Sequence, residues 1–290
     1  MSEHDHLYRF LFEDADVRGE LVQLPNTYAE LARRADYPAP VRDLLGRALA
    51  ASALLTATIK FRGRLILQIQ GGGPVTMLVV QAGSNGNLRA TARWRGLVPR
   101  DGDVQALCGD GTLAITIEPE GRESYQGVVD LRAGSLAAVL EGYFLNSEQL
   151  PTRVYLAADS DRAAGMLLQE LPEADADEDA WPRLQHLADT LNDEELLGLG
   201  ATEVLHRLFH DENLRLFDPT PFRFLCRCSR ERVGNMLFSL GAEEVEATLE
   251  EQGQVEVTCD FCNAVYRFDA VDVGQLFAQG SVEPGPSTQH

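Results

Sequence analysis

The chain reads as an α+β protein with three parts: an N-terminal domain on a mixed, largely antiparallel sheet with inserted helices, a helical linker, and a small cysteine-bearing α+β domain. Three observations predict this. Short apolar runs of strand character, punctuated by glycine-rich turns and interleaved with helical stretches, fill residues 1–171. The composition then turns sharply acidic and amphipathic over 172–217. Four of the five cysteines crowd into 218–280, and 281–290 reads as a disordered tail.

Taken in order, Leu7–Phe12 and Val17–Leu24 read as strands, and Thr27 as the cap of a helix through Tyr28, Leu31 and Ala32. Asp36-Tyr37-Pro38 breaks it. A long helix over Val41–Ile59 follows, with Leu44, Leu45, Ala48, Leu49, Ser52 and Leu55 as its core-facing stripe. Strands are predicted at Arg64–Gln70, Val75–Gln81, Leu88–Trp94, Thr112–Ile117 and Tyr125–Leu131. A helix over Leu136–Leu145 and strands over Arg153–Ala158 and Ala163–Gln169 complete the domain. Gly71-Gly72-Gly73 has neither the spacing nor the following helix of a nucleotide-binding loop, so it reads as a hairpin turn.

From Glu170 to Asp218 fourteen acidic residues stand against three arginines. The opening, Pro172 to Asp179, reads as solvated linker. Beyond it, Trp181, Leu184, Leu187 and Leu191 form one apolar stripe, and Val204, Leu205, Leu208 and Phe209 another, with Asp193 and Thr202 as predicted caps. Helices this short and this charged are expected to persist only while docked on an apolar surface. In the last segment, Ser229 is placed to cap a helix through Val233, Met236 and Leu237. A second helix follows over Ala242–Glu251, and strands over Val255–Thr258 and Ala264–Phe268 flank the last two cysteines.

Those cysteines carry the chemistry. Cys226-Arg227-Cys228 and Cys259-Asp260-Phe261-Cys262 are two tight pairs separated by thirty residues. Tetrahedral zinc needs this layout, each pair clamping two corners while the spacer folds back. Scattered core cysteines or a structural disulfide pair are the plainer alternatives. Four thiolates leave no open position for water, so the site reads as structural rather than hydrolytic. Arg227, Arg230 and Arg232 are expected to favour thiolates on the first arm, and thiolates react with peroxide once a metal loosens. A thioredoxin-like role for Cys259 and Cys262 needs a helix after the first cysteine, whereas the sequence there reads as a strand. Cys108 reads as a structural thiol. His206 and His210 share a helix face but lack the glutamate of a zinc protease motif.

The 290 residues carry a net charge of −20, which argues against nucleic acid and against anionic membrane surfaces as partners. An odd number of cysteines and a polar N-terminus point to a soluble cytoplasmic protein, and no constellation of catalytic groups stands out.

With the two cysteine pairs, the stretch Glu141-Gly142-Tyr143-Phe144-Leu145-Asn146-Ser147-Glu148-Gln149-Leu150-Pro151-Thr152 and the order of the parts, the chain resembles the Hsp33 family of redox-regulated bacterial heat-shock chaperones over nearly its whole length. The resemblance implies an ATP-independent holdase, not an enzyme, that is inactive while its four thiolates hold Zn2+. Oxidation would pair Cys226 with Cys228 and Cys259 with Cys262, release the metal and unfold the last domain and linker. It further implies unfolding client proteins as partners and a homodimer in the oxidised state. The apolar stripes Trp181, Leu184, Leu187, Leu191, Leu205, Leu208 and Phe209 are the client-binding candidates. A constitutive zinc-ribbon module and a dithiol oxidoreductase are the competing readings.

Overall fold

The structure is a computed structural model describing residues 4–59, 62–100, 102–172 and 179–280. Most of the acidic opening of the linker and the tail 281–290 lie outside the described residues. Two compact units are present, Met1–Leu225 and Cys226–His290.

The first unit runs β1 (His6–Phe12), β2 (Val17–Gln23), α1 (Pro25–Ala32), α2 (Ala39–Thr58), β3 (Gly63–Gln70), β4 (Val75–Gly83) and β5 (Asn87–Trp94). It continues with α3 (Val104–Cys108), β6 (Thr112–Pro119), β7 (Tyr125–Asp130), α4 (Leu136–Tyr143) and a π turn over Phe144–Glu148. Then come β8 (Thr152–Ala158), β9 (Ala163–Glu170), α5 (Ala180–Ala188), α6 (Asp193–Gly198), α7 (Ala201–Phe209) and the short strands β10 (Leu214–Leu216), β11 (Thr220–Pro221) and β12 (Arg223–Phe224). The second unit holds α8 (Arg230–Leu240), α9 (Ala242–Gln252), β13 (Val255–Thr258), β14 (Val265–Phe268) and α10 (Ala270–Gly280).

Two six-stranded sheets make the first unit. One has the order β10-β1-β2-β9-β8 with β11 also on β1; the other is β12-β5-β4-β3-β6-β7. All pairs are antiparallel except β12 with β5. Helix α2 lies between the sheets and touches strands of both. The single stripe predicted for it is therefore too narrow: Ala50, Ala51, Ala53 and Leu54 are buried as well. Its buried hydroxyls turn back on the helix, Ser52, Thr56 and Thr58 donating to the carbonyls of Ala48, Ser52 and Leu54 at 2.8, 2.7 and 2.9 Å.

The glycine run is the turn between β3 and β4, and its composition has a steric reason. A Cβ on Gly71 would fall 2.7 Å from the Cys108 carbonyl oxygen, and one on Gly73 2.7 Å from that of Leu107. The turn and the end of α3 thus approach backbone to backbone.

Several expectations are corrected. Thr27 lies inside α1, because Pro25 opens the helix earlier. The first-turn N–H groups of Asn26 and Thr27 donate instead to the buried Asp5 carboxylate, at 2.8 and 2.7 Å. Asn192, not Asp193, caps α6: its Oδ1 accepts from the Glu195 N–H at 2.9 Å while the Glu195 carboxylate accepts from the Asn192 N–H. Thr202 lies within α7, which starts from Gly200 because that carbonyl already accepts from Glu203 and Val204. Residues 220–224, placed with the cysteine segment by sequence, pair with β1 and β5.

Candidate metal centre and linker surface

The second unit is a small core around which four sulfurs converge. Among the described residues its buried apolar side chains are Val233, Leu237, Val245, Val255, Phe268 and Val273. Helix α8 starts where predicted, with Ser229 Oγ accepting from the Arg232 N–H at 3.2 Å. Strands β13 and β14 pair from Val255 opposite Phe268 to Thr258 opposite Val265. The knuckle between them is closed by the Cys259 N–H donating to the Ala264 carbonyl at 2.9 Å and the Asn263 N–H to that of Cys259 at 2.8 Å. Asn263 takes φ 55°, a left-handed conformation asparagine tolerates.

Cys226, Cys228, Cys259 and Cys262 place their sulfurs within 4.8 Å of one another. Cys226 Sγ lies 3.6 Å from Cys259 Sγ, and Cys228 Sγ lies 3.2 Å from Cys262 Sγ, so the two arms interlock. None of the four is in a disulfide. A zinc–sulfur bond of about 2.3 Å implies tetrahedral sulfur–sulfur edges of roughly 3.8 Å. The two closest spacings fall a little below that edge and all lie within 4.8 Å, and the donor set suits a thiophilic metal.

The electrostatics of the cluster are uneven. Burial works against a thiolate at Cys226, but the Cys228 backbone N–H and the neighbouring sulfurs outweigh it and hold its pKa at about 7. Burial pushes Cys259 and Cys262 up. The arginines are not the cause expected from sequence. Arg230 stacks 4.4 Å above the Phe268 ring, pairs with Asp272 at 2.6 Å and donates to the Arg267 carbonyl. Arg232 donates to the Arg227 carbonyl at 2.8 Å. Sequence proximity put charge near the sulfurs; Arg230 and Arg232 are engaged by other partners.

The linker candidates form a second site, within the first unit. Helices α5, α6 and α7 cover the face of β1, β2 and β9 opposite α2. Leu184, Leu205, Leu208 and Phe209 are buried there against Phe10, Phe12, Leu21, Met166 and Leu168, with Trp181, Leu187 and Leu191 half-buried at the margin. Leu191 lies beyond the end of α5. Polar side chains of the sheet domain hold the helices in place, a feature the sequence reading missed. Gln23 Nε2 donates to the Leu199 carbonyl at 2.7 Å and Arg162 to that of Leu197 at 3.0 Å, where α6 ends. Arg153 and the Tyr155 hydroxyl both donate to Asp189, each at 2.7 Å, and Arg47 pairs with Asp193 at 3.1 Å. Polar residues set among apolar ones in the strands, such as Gln23 at the end of β2, were the available signal.

A family model described as "Hsp33 protein" matches residues 5–269. The chain belongs to the Hsp33 family. Relatives named "33 kDa chaperonin" include one from Nitrosococcus oceani, 49% identical with both chains fully covered, and one from Methylobacillus flagellatus, 48% identical, again with full coverage. The crystal structure of the 33 kDa chaperonin (heat shock protein 33 homologue) of Thermotoga maritima superposes with a TM-score of 0.85 at 25% identity, covering 97% of this chain and 100% of that one. Membership makes this a chaperone-family chain whose cysteine cluster could hold a metal ion.

The other Hsp33 residues considered from sequence fall outside both sites. Cys108 is fully buried, and burial pushes its thiol up to about 11. His206 and His210 stack on the exposed side of α7. The stretch after Tyr143 forms the π turn, closed by the Tyr143 hydroxyl to Glu148 at 3.1 Å and a left-handed Gln149 at φ 58°. Among the described residues no helix is long and apolar enough to cross a membrane.

Proposed function

We propose that this chain is a redox-switched, ATP-independent holdase, silent while reduced and zinc-bound and active once its sulfurs are oxidised. The observation that carries the reading is the meeting of four sulfurs in a unit whose buried apolar core, among the described residues, is six side chains. Bound there, zinc supplies an apparent binding energy of about 10–16 kcal/mol, comparable to or above the whole stability of a small domain. The fold of the unit then depends on the oxidation state of Cys226, Cys228, Cys259 and Cys262.

Peroxide takes two electrons from each thiol pair: one sulfur–sulfur bond forms, one oxygen–oxygen bond breaks, and two waters leave. The pairs are Cys226 with Cys228 and Cys259 with Cys262. Oxidised sulfur no longer ligates, the unit loses its organising bonds, and the linker, which precedes it in the chain, loses its docking. Trp181, Leu184, Leu187, Leu191, Leu205, Leu208 and Phe209 then become the surface that binds unfolding clients, and a −20 chain keeps the exposed state soluble. The active form is a cytoplasmic homodimer without nucleic-acid or membrane partners.

The test is direct. Reduced full-length protein should carry one zinc and fail to suppress aggregation of a heat-denaturing client, whereas peroxide with mild heat should release the zinc and confer suppression. Cys262→Ser should lower metal occupancy and destabilise the C-terminal unit. Full metallation and normal switching of that variant would remove Cys262 from the ligand set.

A further inference from the structure

The hydroxyl of Tyr266 reaches the metal centre from outside the ligand set. Tyr266 lies on β14 opposite Val257, four residues beyond Cys262, and its ring packs at the margin of the small core. From there its O–H donates to Cys228 Sγ at 3.1 Å. The contact joins the Cys259–Cys262 hairpin to the other arm, 38 residues earlier in the chain.

Resting on the zinc reading above, we infer that Tyr266 is a positioning residue for the centre: its hydrogen bond fixes the Cys228 sulfur for metal binding and slows that sulfur's oxidation. Both effects come from one contact, the first by orienting the sulfur and the second electronically. Attack on hydrogen peroxide uses a sulfur lone pair; the S–O bond forms, the O–O bond breaks and the departing oxygen leaves as water after taking up a proton. The Cys226 sulfur then displaces the sulfenic oxygen as a second water, closing the disulfide. A lone pair engaged by a hydroxyl is less available for the first step. Outer partners that orient a ligand also contribute to metal affinity, typically 10–100-fold.

The experiment uses the full-length zinc-loaded protein and its Tyr266→Phe variant, which keeps the ring and removes the donor. Zinc affinity by chelator competition should fall about 10–100-fold. Zinc release under hydrogen peroxide should accelerate several-fold, with Cys228 the sulfur whose oxidation rate rises most by mass spectrometry. In the Co2+-substituted protein the sulfur-to-metal charge-transfer band should move to longer wavelength. Placing 3-fluorotyrosine at position 266 alone strengthens the donor and should slow release. That replacement retains the whole ring and carries the test even if the phenylalanine variant folds poorly. Unchanged release rates and an unchanged cobalt spectrum, in a protein that otherwise binds one zinc and releases it on oxidation, would overturn the role of Tyr266 alone. A wild-type protein that holds no zinc would overturn the proposed function with it.

Discussion

Replacing Phe209 by alanine should switch on the reduced protein without oxidant. Phe209, at the end of α7, is 2% exposed and lies edge-on to Phe12, ring centroids 5.0 Å apart at 87°, with Phe10 at 6.3 Å. Truncating a phenylalanine in such a setting costs about 3–5 kcal/mol, of which each aromatic pair accounts for roughly 0.5–1.5. Helices α5, α6 and α7 have 9, 6 and 9 residues, too short to hold their form undocked, so the loss falls on the docking equilibrium. At about 1.4 kcal/mol per decade, the undocked population should rise by roughly two to four orders of magnitude. Trypsin cleavage at Arg183 and Arg207 in reduced, zinc-loaded protein reads the undocking, and suppression of client aggregation reads its consequence. Faster cleavage without suppression would refute these helices as the client surface. Unaltered cleavage would refute the docking energetics.

Three further outcomes follow from buried groups. Burial raises the pKa of Glu20 from about 4.5 to about 7 against the pull of Arg18, Arg9 and Thr58, so the folded state binds this proton more tightly than the unfolded chain. The contribution is complete below pH 4.5 and lost as pH rises through 7, roughly 3 kcal/mol in all; urea midpoints of Glu20→Gln should therefore gain on wild type between pH 5 and 8, and a constant difference would contradict the assignment. A Cβ at Gly19 would lie 2.2 Å from the Phe10 ring, so Gly19→Ala should cost about 1–3 kcal/mol and lower the melting temperature, and an unshifted melt would show that Phe10 moves freely. Cys108, fully buried with its pKa near 11, should resist iodoacetamide until the protein is denatured, and Cys108→Ala should keep wild-type zinc content and peroxide response.

The parts of this molecule legible in its sequence are those written in local periodicity. Strands β3, β4, β8 and β9 announce themselves by apolar runs, and the Cys226–Cys262 cluster by spacing, because a tetrahedral ion constrains short loops strongly. Strand β10 carries no such pattern: three residues, mostly exposed, form a strand because β1 offers Phe10 opposite Leu216. Strands β11 and β12 are likewise made by distant partners, and α3 and α10 passed unread. Caps were missed by one to three residues, since Asp193, Thr202 and Thr27 are good capping types standing close to the true helix starts. The arginines near the first cysteine arm misled for a related reason: sequence gives the position of a charge but not the direction its side chain takes.

The cover formed by α5, α6 and α7 has two sides. Lifting these helices uncovers not only their own leucines and Phe209 but also the bed they rest in, with Phe10, Phe12, Leu21, Met166 and Leu168. That bed belongs to a sheet braced from behind by α2, which packs on its other face. On the proposed activation, an unfolding chain would meet a pliable strip and a braced plate at once.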